Sequence, residues 1–580
     1  MKRILQLSLI LLLGAASASA QNAERNAPRL PQGGAGARGA VGAPTPSTLA
    51  DGPEITIVET LKGIVIVDQP RTINRAGARG ISGLLVKGPG FLIDTSFAGV
   101  VAPYLGAKLT NKKLAAMQAD IVAFCRKKDH PVVDVLFEEQ EIVEGVIQVT
   151  VLVGKVGKVQ LRNEGDQFFK SSVISQQFRL REGEDIKEST LVGDINWINR
   201  NPFRTIDVKL KPGDVGKVDL DVEVKDRLPI RAYMGFEDSL TRLLEGRLWY
   251  VGFNWGNAFD LDHQFNYQFS ASTDFNRLNS HSASYIIPIN RWRHTLTLYG
   301  SHTGVEPNMA VLGFPLLRQR GESTQGSVRY GIPLPRMFNR LDSEITFGFD
   351  YKGSDNNLEF GGTNVFTRPT DIGQFSAGVR GFVPDAHGTT TIGGTFVKSP
   401  GGMFSRNNDT SFILTRPGTT ASYYYARVDG ERTTKLPWGF TWVLKATAQL
   451  TDDALLPSEQ IGIGGFSTVR GYEERIANGD HGWVVNNELR TPAWQVSNMT
   501  GNPDTGDKLQ FLVFYDAGST ALSYYLPTDD PHRDLASVGA GLRFTVGKNM
   551  SLRIDYGHQI TERYLSGRSN RGHVGLQLAF

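Results

Sequence analysis

His263-Gln-Phe-Asn-Tyr-Gln-Phe-Ser270 alternates without a break. Phe265, Tyr267 and Phe269 fall on one side, Gln264, Asn266, Gln268 and Ser270 on the other. Successive side chains of an extended strand point to opposite faces, so this octapeptide reads as a strand with one apolar and one polar face. The pattern recurs towards the C-terminus. Ile345 to Tyr351 repeats it with Asp350 on the polar side, and Gln374 to Arg380 sets Phe375, Ala377 and Val379 against Gln374, Ser376, Gly378 and Arg380. Thr441 to Leu450 sets Trp442, Leu444, Ala446, Ala448 and Leu450 against Lys445, Thr447 and Gln449. Gly541 to Gly547 and Ser551 to Tyr556 follow, with Arg543, Arg553 and Asp555 among the polar members. Over residues 228–580 there is almost no helical periodicity, and clusters of Gly, Asn, Asp and Pro separate the segments.

Two architectures share this pattern. In a soluble sandwich the apolar faces form a packed core, whereas in an outer-membrane barrel they meet lipid and the polar faces line a wet lumen. Strands of about 8 to 10 residues match a tilted bilayer crossing. The polar faces carry both signs of charge, as a lumen can. Trp249, Tyr250, Trp255, Trp292, Tyr299, Trp438 and Trp483 gather near strand ends, where an aromatic girdle sits. The last segment, Arg571 to Phe580, turns Val574, Leu576, Leu578 and Phe580 to one side and stops on an aromatic residue. At roughly 22 residues per strand and connection, this region makes about 16 strands, an even number as bacterial barrels require. The expected fold is therefore an antiparallel outer-membrane β-barrel.

Composition agrees. The chain has 580 residues, with 62 Lys+Arg against 59 Asp+Glu, and that balance gives no support for a nucleic-acid partner. A single Cys excludes a disulfide framework and any Cys-rich metal site. Beyond residue 13 no apolar run is long enough for a spanning helix. Lys2 and Arg3, the apolar run Ile4 to Leu13 and Ala18-Ser19-Ala20 form a secretory signal peptide over residues 1–20. Residues 21–54 begin with seven Ala, five Gly and four Pro within 21–50, a composition that cannot bury a core and reads as a linker.

Between 55 and 227 the texture is mixed. Ile64 to Val67 is a strand, and Leu114 to Lys128 is a helix with Leu114, Met117, Ile121 and Phe124 on one face. Cys125 beside that face reads as a small core residue. Strands follow at Pro131 to Phe137 and Val146 to Val153. A second set comprises a strand from Lys158, helices at Lys170 to Phe178 and Ile186 to Asn199, and strands at Thr205 to Leu210 and Val218 to Val224. Two small α/β modules result, over 55–154 and 155–227, ahead of the barrel at 228–580.

No enzyme signature is present: there is no His-Glu-x-x-His, Gly-x-Ser-x-Gly or phosphate loop, and the ten His show no metal spacing. Gly462-Ile-Gly-Gly465 follows no parallel strand–helix unit, so it is a weak nucleotide signal. No catalytic residue, cofactor or metal is expected. The connection after Leu450 does stand out. It contains Val469-Arg470-Gly471-Tyr472, and a later strand reads Phe514-Tyr-Asp516-Ala-Gly518.

With the two modules and the terminal Phe580, this ordered set resembles the two-partner secretion transporters, the outer-membrane haemolysin and adhesin exporters of the superfamily that also holds the barrel-assembly insertases. Tyr104-Leu-Gly106, Leu109-Thr110, Asp120-Ile-Val122 and Pro131-Val-Val-Asp134 resemble a first polypeptide-transport-associated (POTRA) module, and Asn199-Arg-Asn-Pro-Phe203 a second. The resemblance implies two periplasmic POTRA domains before a barrel in the outer membrane of a Gram-negative bacterium. It further implies a secreted partner protein bound unfolded on the periplasmic side and exported without nucleotide hydrolysis, and Phe580 as an assembly signal read by the barrel-assembly machinery. The tetrad loop is implied to fold into the lumen, with Arg470 pairing to Asp516, Gly471 permitting the sharp tip and Gly518 leaving room on the wall. Alternation by itself leaves the direction of Asp516 open, since it shares a face with Leu512 and Phe514. Relatives often place an N-terminal helix in the lumen, but the Ala/Gly/Pro segment does not suit a helix. The alternatives are a barrel-assembly insertase, which usually carries more than two POTRA modules, and a diffusive porin, which has no use for them.

Overall fold

A backbone amide in hydrocarbon finds no water, so every strand needs a neighbour on both sides and the sheet must close. The computed structural model describes residues 27–31, 53–214, 216–337, 341–360, 363–497, 506–527, 529–561 and 569–580. The signal peptide and most of the 21–54 linker lie outside them. Among the described residues, sixteen antiparallel strands form the wall of a closed barrel from Ile230–Glu237 to Asn570–Ala579. A short strand, Thr363–Thr367, is added beside Leu341–Phe360, which also pairs directly with Thr370–Asp385. The ring closes where Ile230–Glu237 pairs with Asn570–Ala579, from Tyr233↔Ala579 to Glu237↔Gly575. Phe580 extends this seam: its N–H donates to the Ala232 carbonyl at 2.9 Å, and the Ala232 N–H returns a bond to Phe580 at 3.2 Å.

The wall is inside out relative to a soluble protein. Asn254, Asn266, Gln268, Ser270, Ser280 and Gln374 are buried, while Val251, Phe253, Phe347, Phe375 and Val513 are exposed. The predicted alternation is thus met along most of the wall, with apolar side chains turned outward to lipid and polar ones inward; Leu248, Leu512 and Phe514 are apolar but inward, and Tyr250, expected in the girdle, is also buried inside. Strand length departs from expectation. Leu317–Met337 has 21 residues and Leu341–Phe360 has 20, because this hairpin continues beyond the height a bilayer requires. Connections at the end where the chain enters are mostly short (259–262, 290–293, 386–387). Those at the other end are longer, above all 401–421 and 451–480. That asymmetry places the entry end in the periplasm and the long loops outside the cell.

The described residues from 53 to 228 form a separate unit. Its first sheet has the order Gly83–Lys87, Gly63–Val67, Val146–Val153, Val133–Leu136. The helices Thr95–Val101 and Asn111–Lys127 belong with it. Asp94 caps the first helix by accepting from the Ser96 N–H, and Thr110 caps the second by accepting from Lys113. Leu114, Met117, Ile121, Phe124 and Cys125 of the long helix pack into one core with Ile64, Ile66, Val149 and Val151. The second sheet has the order Lys155–Asn163, Lys217–Asp226, Arg204–Pro212, with helices Ser171–Ser175 and Glu188–Ile198. The strand Gly83–Lys87 and the helix Thr95–Val101 were not evident in the sequence. The strand is a non-alternating apolar run, and the helix is a single β-branched, Gly-containing heptapeptide whose only signal is its Asp94 cap.

Two tests follow from this layout. Val513→Arg places a cation on the lipid face between the inward residues Leu512 and Phe514. It is expected to cost about 2–4 kcal/mol, read as a lower urea midpoint of the heat-modifiable band on cold electrophoresis. Burial pushes the Cys125 thiol up to about 12. Alkylation at pH 8 should therefore be undetectable in the folded chain and complete after denaturation.

Candidate functional site

The 451–480 connection leaves the strand Thr441–Leu450 and returns at His481–Arg490. Part of it is a small hairpin in which Ile461–Ile463 pairs antiparallel with Ala477–Gly479. Gly464 and Gly465 both have φ +102°, and a Cβ on Gly464 would lie 2.6 Å from the Glu473 carbonyl oxygen. The Gly-rich stretch is thus the bend of a hairpin, with no helix behind it to cradle a phosphate.

The hairpin carries Arg470 into the barrel, where the side chain is 1 % exposed. Its Nε and Nη2 donate to the two oxygens of Asp516 at 2.7 and 2.8 Å, and its backbone N–H reaches the same carboxylate at 3.2 Å. Nη1 donates to Glu488 at 2.7 Å and to Asp555 at 3.4 Å. The guanidinium lies 3.6 Å from the centre of the Phe514 ring. This resolves the face that alternation left open. Leu512, Phe514 and Asp516 are all buried inside the barrel while Phe511, Val513 and Tyr515 are exposed. Phe514 is inward because it stacks on the cation. Arg490, Arg543 and Arg553 also pair with Glu488 or Asp555. Four guanidinium groups therefore share three carboxylates: Glu488 and Asp555 each meet three of them, Asp516 is gripped by Arg470, and no charge is left alone.

The neighbours of Arg470 fix the tip. Gly471 has φ +92°, a region open to glycine, and a Cβ on it would lie 3.0 Å from the Gly557 carbonyl carbon. A Cβ on Gly557 would in turn lie 2.7 Å from the Gly471 Cα, so two glycines meet back to back. The Gly471 N–H donates to His573 Nε2 at 3.1 Å, and Gln559 donates to the Gly471 carbonyl at 2.6 Å. Tyr472 is buried and donates to the Ala536 carbonyl at 2.9 Å. Val469 and Tyr472 share a small apolar cluster with Ile463, Val484 and Leu535. A Cβ on Gly518 would meet the Trp483 carbonyl oxygen at 3.0 Å and Val469 Cγ2 at 3.3 Å, so it faces both the adjacent strand and the loop. Phe580 lies apart from this group, at the seam, with 74 % of its surface exposed.

A second insert occupies the barrel. Residues 27–31 have no helical conformation. The Arg29 N–H donates to Tyr233 Oη at 3.0 Å, its side chain to Glu237 at 2.6 Å, and its guanidinium sits 4.1 Å from the centre of the Tyr250 ring. Asn254 donates to the Arg29 carbonyl at 3.1 Å. Part of the Ala/Gly/Pro segment is therefore held by the barrel wall, as a non-helical peptide.

Glu488, Asp555, Phe514, Gly557 and His573 were not singled out as site residues by sequence. Asp555 and the two neighbouring Arg residues were visible as charges on inward strand faces. Glu488 carried the same kind of signal, a lone acid within a strand, and Gly557 carried none. The arrangement holds a loop by charge-assisted hydrogen bonds, and its polar groups are engaged with one another. Asp516→Asn removes one charge from the centre of this cluster. Cleavage by trypsin at Arg475 in the folded protein is expected to rise at least about tenfold as the loop opens locally, with Arg470→Ala exceeding it because three acids then lose a partner.

Known proteins share this architecture. The family model of the haemolysin secretion/activation proteins ShlB/FhaC/HecB matches residues 216–544. The outer membrane transporter CdiB of Dickeya dadantii is 23% identical over 397 residues, covering 66% of this chain and 65% of its own length. The heme/hemopexin transporter protein HuxB of Haemophilus influenzae (strain 86-028NP) is 21% identical over 496 residues, covering 80% of each. Among solved structures, CdiB from Escherichia coli superposes with a TM-score of 0.74 at 17% identity, covering 92% of this chain and 94% of that one. CdiB from Acinetobacter baumannii gives 0.64 at 15% identity, with 100% and 98% covered. A closed barrel preceded by POTRA domains, together with a family model that spans more than half of the sequence, identifies the chain as a member of the ShlB/FhaC/HecB family, the outer-membrane transporters of two-partner secretion.

Proposed function

We propose that the chain is a passive polypeptide translocase: it takes a secreted partner protein, unfolded, from the periplasm and passes it through the barrel to the cell surface. The observation that carries this reading is the nature of the plug. The 451–480 connection is held in the bore by ion pairs and hydrogen bonds, with two small apolar clusters, one around Val469 and Tyr472 and one in which Leu455 and Leu456 join Ile372, Phe412 and Tyr423. Each such bond, exchanged for water, costs only about 0.5–1.5 kcal/mol net, or about 1.5–3 kcal/mol where a charge is involved. A polar plug can thus leave a wet lumen, whereas an apolar core could not. Arg470, with Val469, Gly471 and Tyr472 shaping its tip and Asp516 as wall partner, acts as the lock. Gly518 gives the loop room, and Phe580 is the assembly signal.

The periplasmic modules, here taken as 55–154 and 155–227, supply the receptor. Gly83–Lys87 is an edge strand, paired on one side only by Gly63–Val67. A recess of about 640 Å³ lined by Lys62, Ser82, Gly83 and Glu144, among others, opens at its start. An extended chain can add to such an edge through backbone hydrogen bonds, which suits a client recognised before it folds. Folding outside the cell biases the motion, so no nucleotide is needed.

Deleting the gene tests the reading. One surface or medium protein should disappear while other outer-membrane barrels keep their levels. An unchanged exoproteome would overturn it, and a general loss of barrels would indicate an insertase instead.

A further inference from the structure

Arg470 is one of several charged anchors of the 451–480 connection. Asp480, at its base, is fully buried. Its carboxylate accepts from Arg416 Nη1 and Nη2 at 2.5 and 2.9 Å, from Gln460 Nε2 at 3.0 Å, and from the backbone N–H groups of Leu455 and Ser523 at 2.9 and 2.8 Å. Arg416 also donates to the carbonyls of Leu455 and Tyr524. Asp480 thereby joins three outer loops, 401–421, 451–480 and 522–531. The first of these is itself fixed to the wall, because Arg406 grips Asp371 at 3.0 and 3.1 Å and Phe412 is buried against Tyr423. Close by in sequence, Glu459 is buried and accepts from Lys352 at 3.0 and 3.3 Å, from Tyr425 at 3.0 Å and from Gln374 at 3.2 Å.

The position of these anchors around the wall matters. Lys352 lies on Leu341–Phe360, the seventh wall strand, and Asp555 on Met550–Gln559, the fifteenth. They face each other across a ring of sixteen. The connection is a strut fixed at both walls, and freeing Arg470 releases one end only.

We propose that the Asp480–Arg416 clasp, with Glu459–Lys352 as its companion, is a second lock on the bore, and that the bore opens only when both this lock and the Arg470 lock let go. The inference rests on the reading above that the 451–480 connection must clear the lumen. Its physical basis is that each anchor is a buried, multiply bonded charge pair, so neither end can drift free while the other is loosened.

Conductance of the full chain in planar bilayers tests it, with heat-modifiable mobility reporting that each variant is folded. Arg470→Ala and Asp480→Asn alone should each raise the mean conductance less than about threefold. The double variant should exceed the product of the two by about tenfold, the signature of coupled restraints. Either single variant opening as far as the double would overturn the proposal. If Asp480→Asn does not fold, Arg416→Gln takes its place with the same expectations. The converse variant joins Gly418→Cys to Tyr524→Cys. A Cβ on Gly418 would fall 2.3 Å from Tyr524 Cγ, so a bond between the two cysteines, once the ring is gone, would close the outer loops around Asp480; Gly418 has φ +82°, so heat-modifiable mobility of the reduced pair first shows that the variant folds. Cys125 is buried and does not compete. The oxidised pair should keep Arg470→Ala quiet and stop export, and reductant should restore both. An oxidised pair that conducts and exports like its reduced form would overturn the second lock. Should the deletion strain lose no exoprotein while the conductance synergy holds, the export reading fails and the double lock stands.

Discussion

The constraint on which this molecule rests is that lipid offers no hydrogen bonds. A sheet in that medium must pair every backbone group, and closure leaves no unpaired edge. Closure decides the remaining chemistry. One face of each strand is committed to lipid and must be apolar, so polar chemistry is driven to the other face. Sixteen strands enclose a bore too wide for side chains from the wall to fill. The space belongs to water and to whatever backbone the chain sends inward, here the 451–480 hairpin and the peptide around Arg29.

What goes inward must satisfy two opposed demands. In the export function proposed above, it blocks the bore in a membrane whose barrier is worth keeping, and it has to be removable. An apolar plug would meet the first demand, but once withdrawn it would leave aliphatic surface standing in water, at about 1.5–3 kcal/mol per side chain. A charged hydrogen bond costs a similar amount to part, about 1.5–3 kcal/mol, but it leaves hydrated groups rather than greasy surface in the lumen. Once a guanidinium is dry it must be matched, which is why Arg470 touches three carboxylates and an aromatic face. The same groups are well solvated when the lumen is wet. The back-to-back Gly471 and Gly557 serve the same end, since they let the backbone of the tip approach the wall without interlocking side chains.

The wall was legible because its rule is local. A period of two is written in most strands, and Asn266, Asp350 and Gln374 could be turned inward from their neighbours alone. The ion pair between Arg470 and Asp516 was legible only through likeness to a family, since the residues are 46 positions apart and Asp516 shares its face with Phe514. Its further partners were illegible for a related reason. Glu488 and Asp555 lie on separate strands, and nothing in either strand states that a loop from elsewhere ends between them. The edge strand Gly83–Lys87 escaped because Leu84, Leu85 and Val86 are apolar in succession and all half-buried, so no alternation is written, and Thr95–Val101 because seven residues, about two turns with a Gly and three β-branched residues, are too few to show a period.

The clasp at Asp480 shows how far such long-range chemistry extends. Asp480 immediately precedes the strand His481–Arg490, and by composition it would pass for an ordinary turn residue. Its meaning comes from Arg416, which caps the short helix Asp409–Thr415 in a different loop, and from Ser523 in a third. Loops that only covered the mouth could be held by scattered surface contacts, each worth less than about 1 kcal/mol. Convergence of three loops on one dry carboxylate is a different design. It makes these three loops a single mechanical unit, coupled through Gln449 to the wall strand at both Glu459 and Asp480. Motion of the hairpin in the bore and motion of the loops above it are then one event, because the same short stretch of chain carries both.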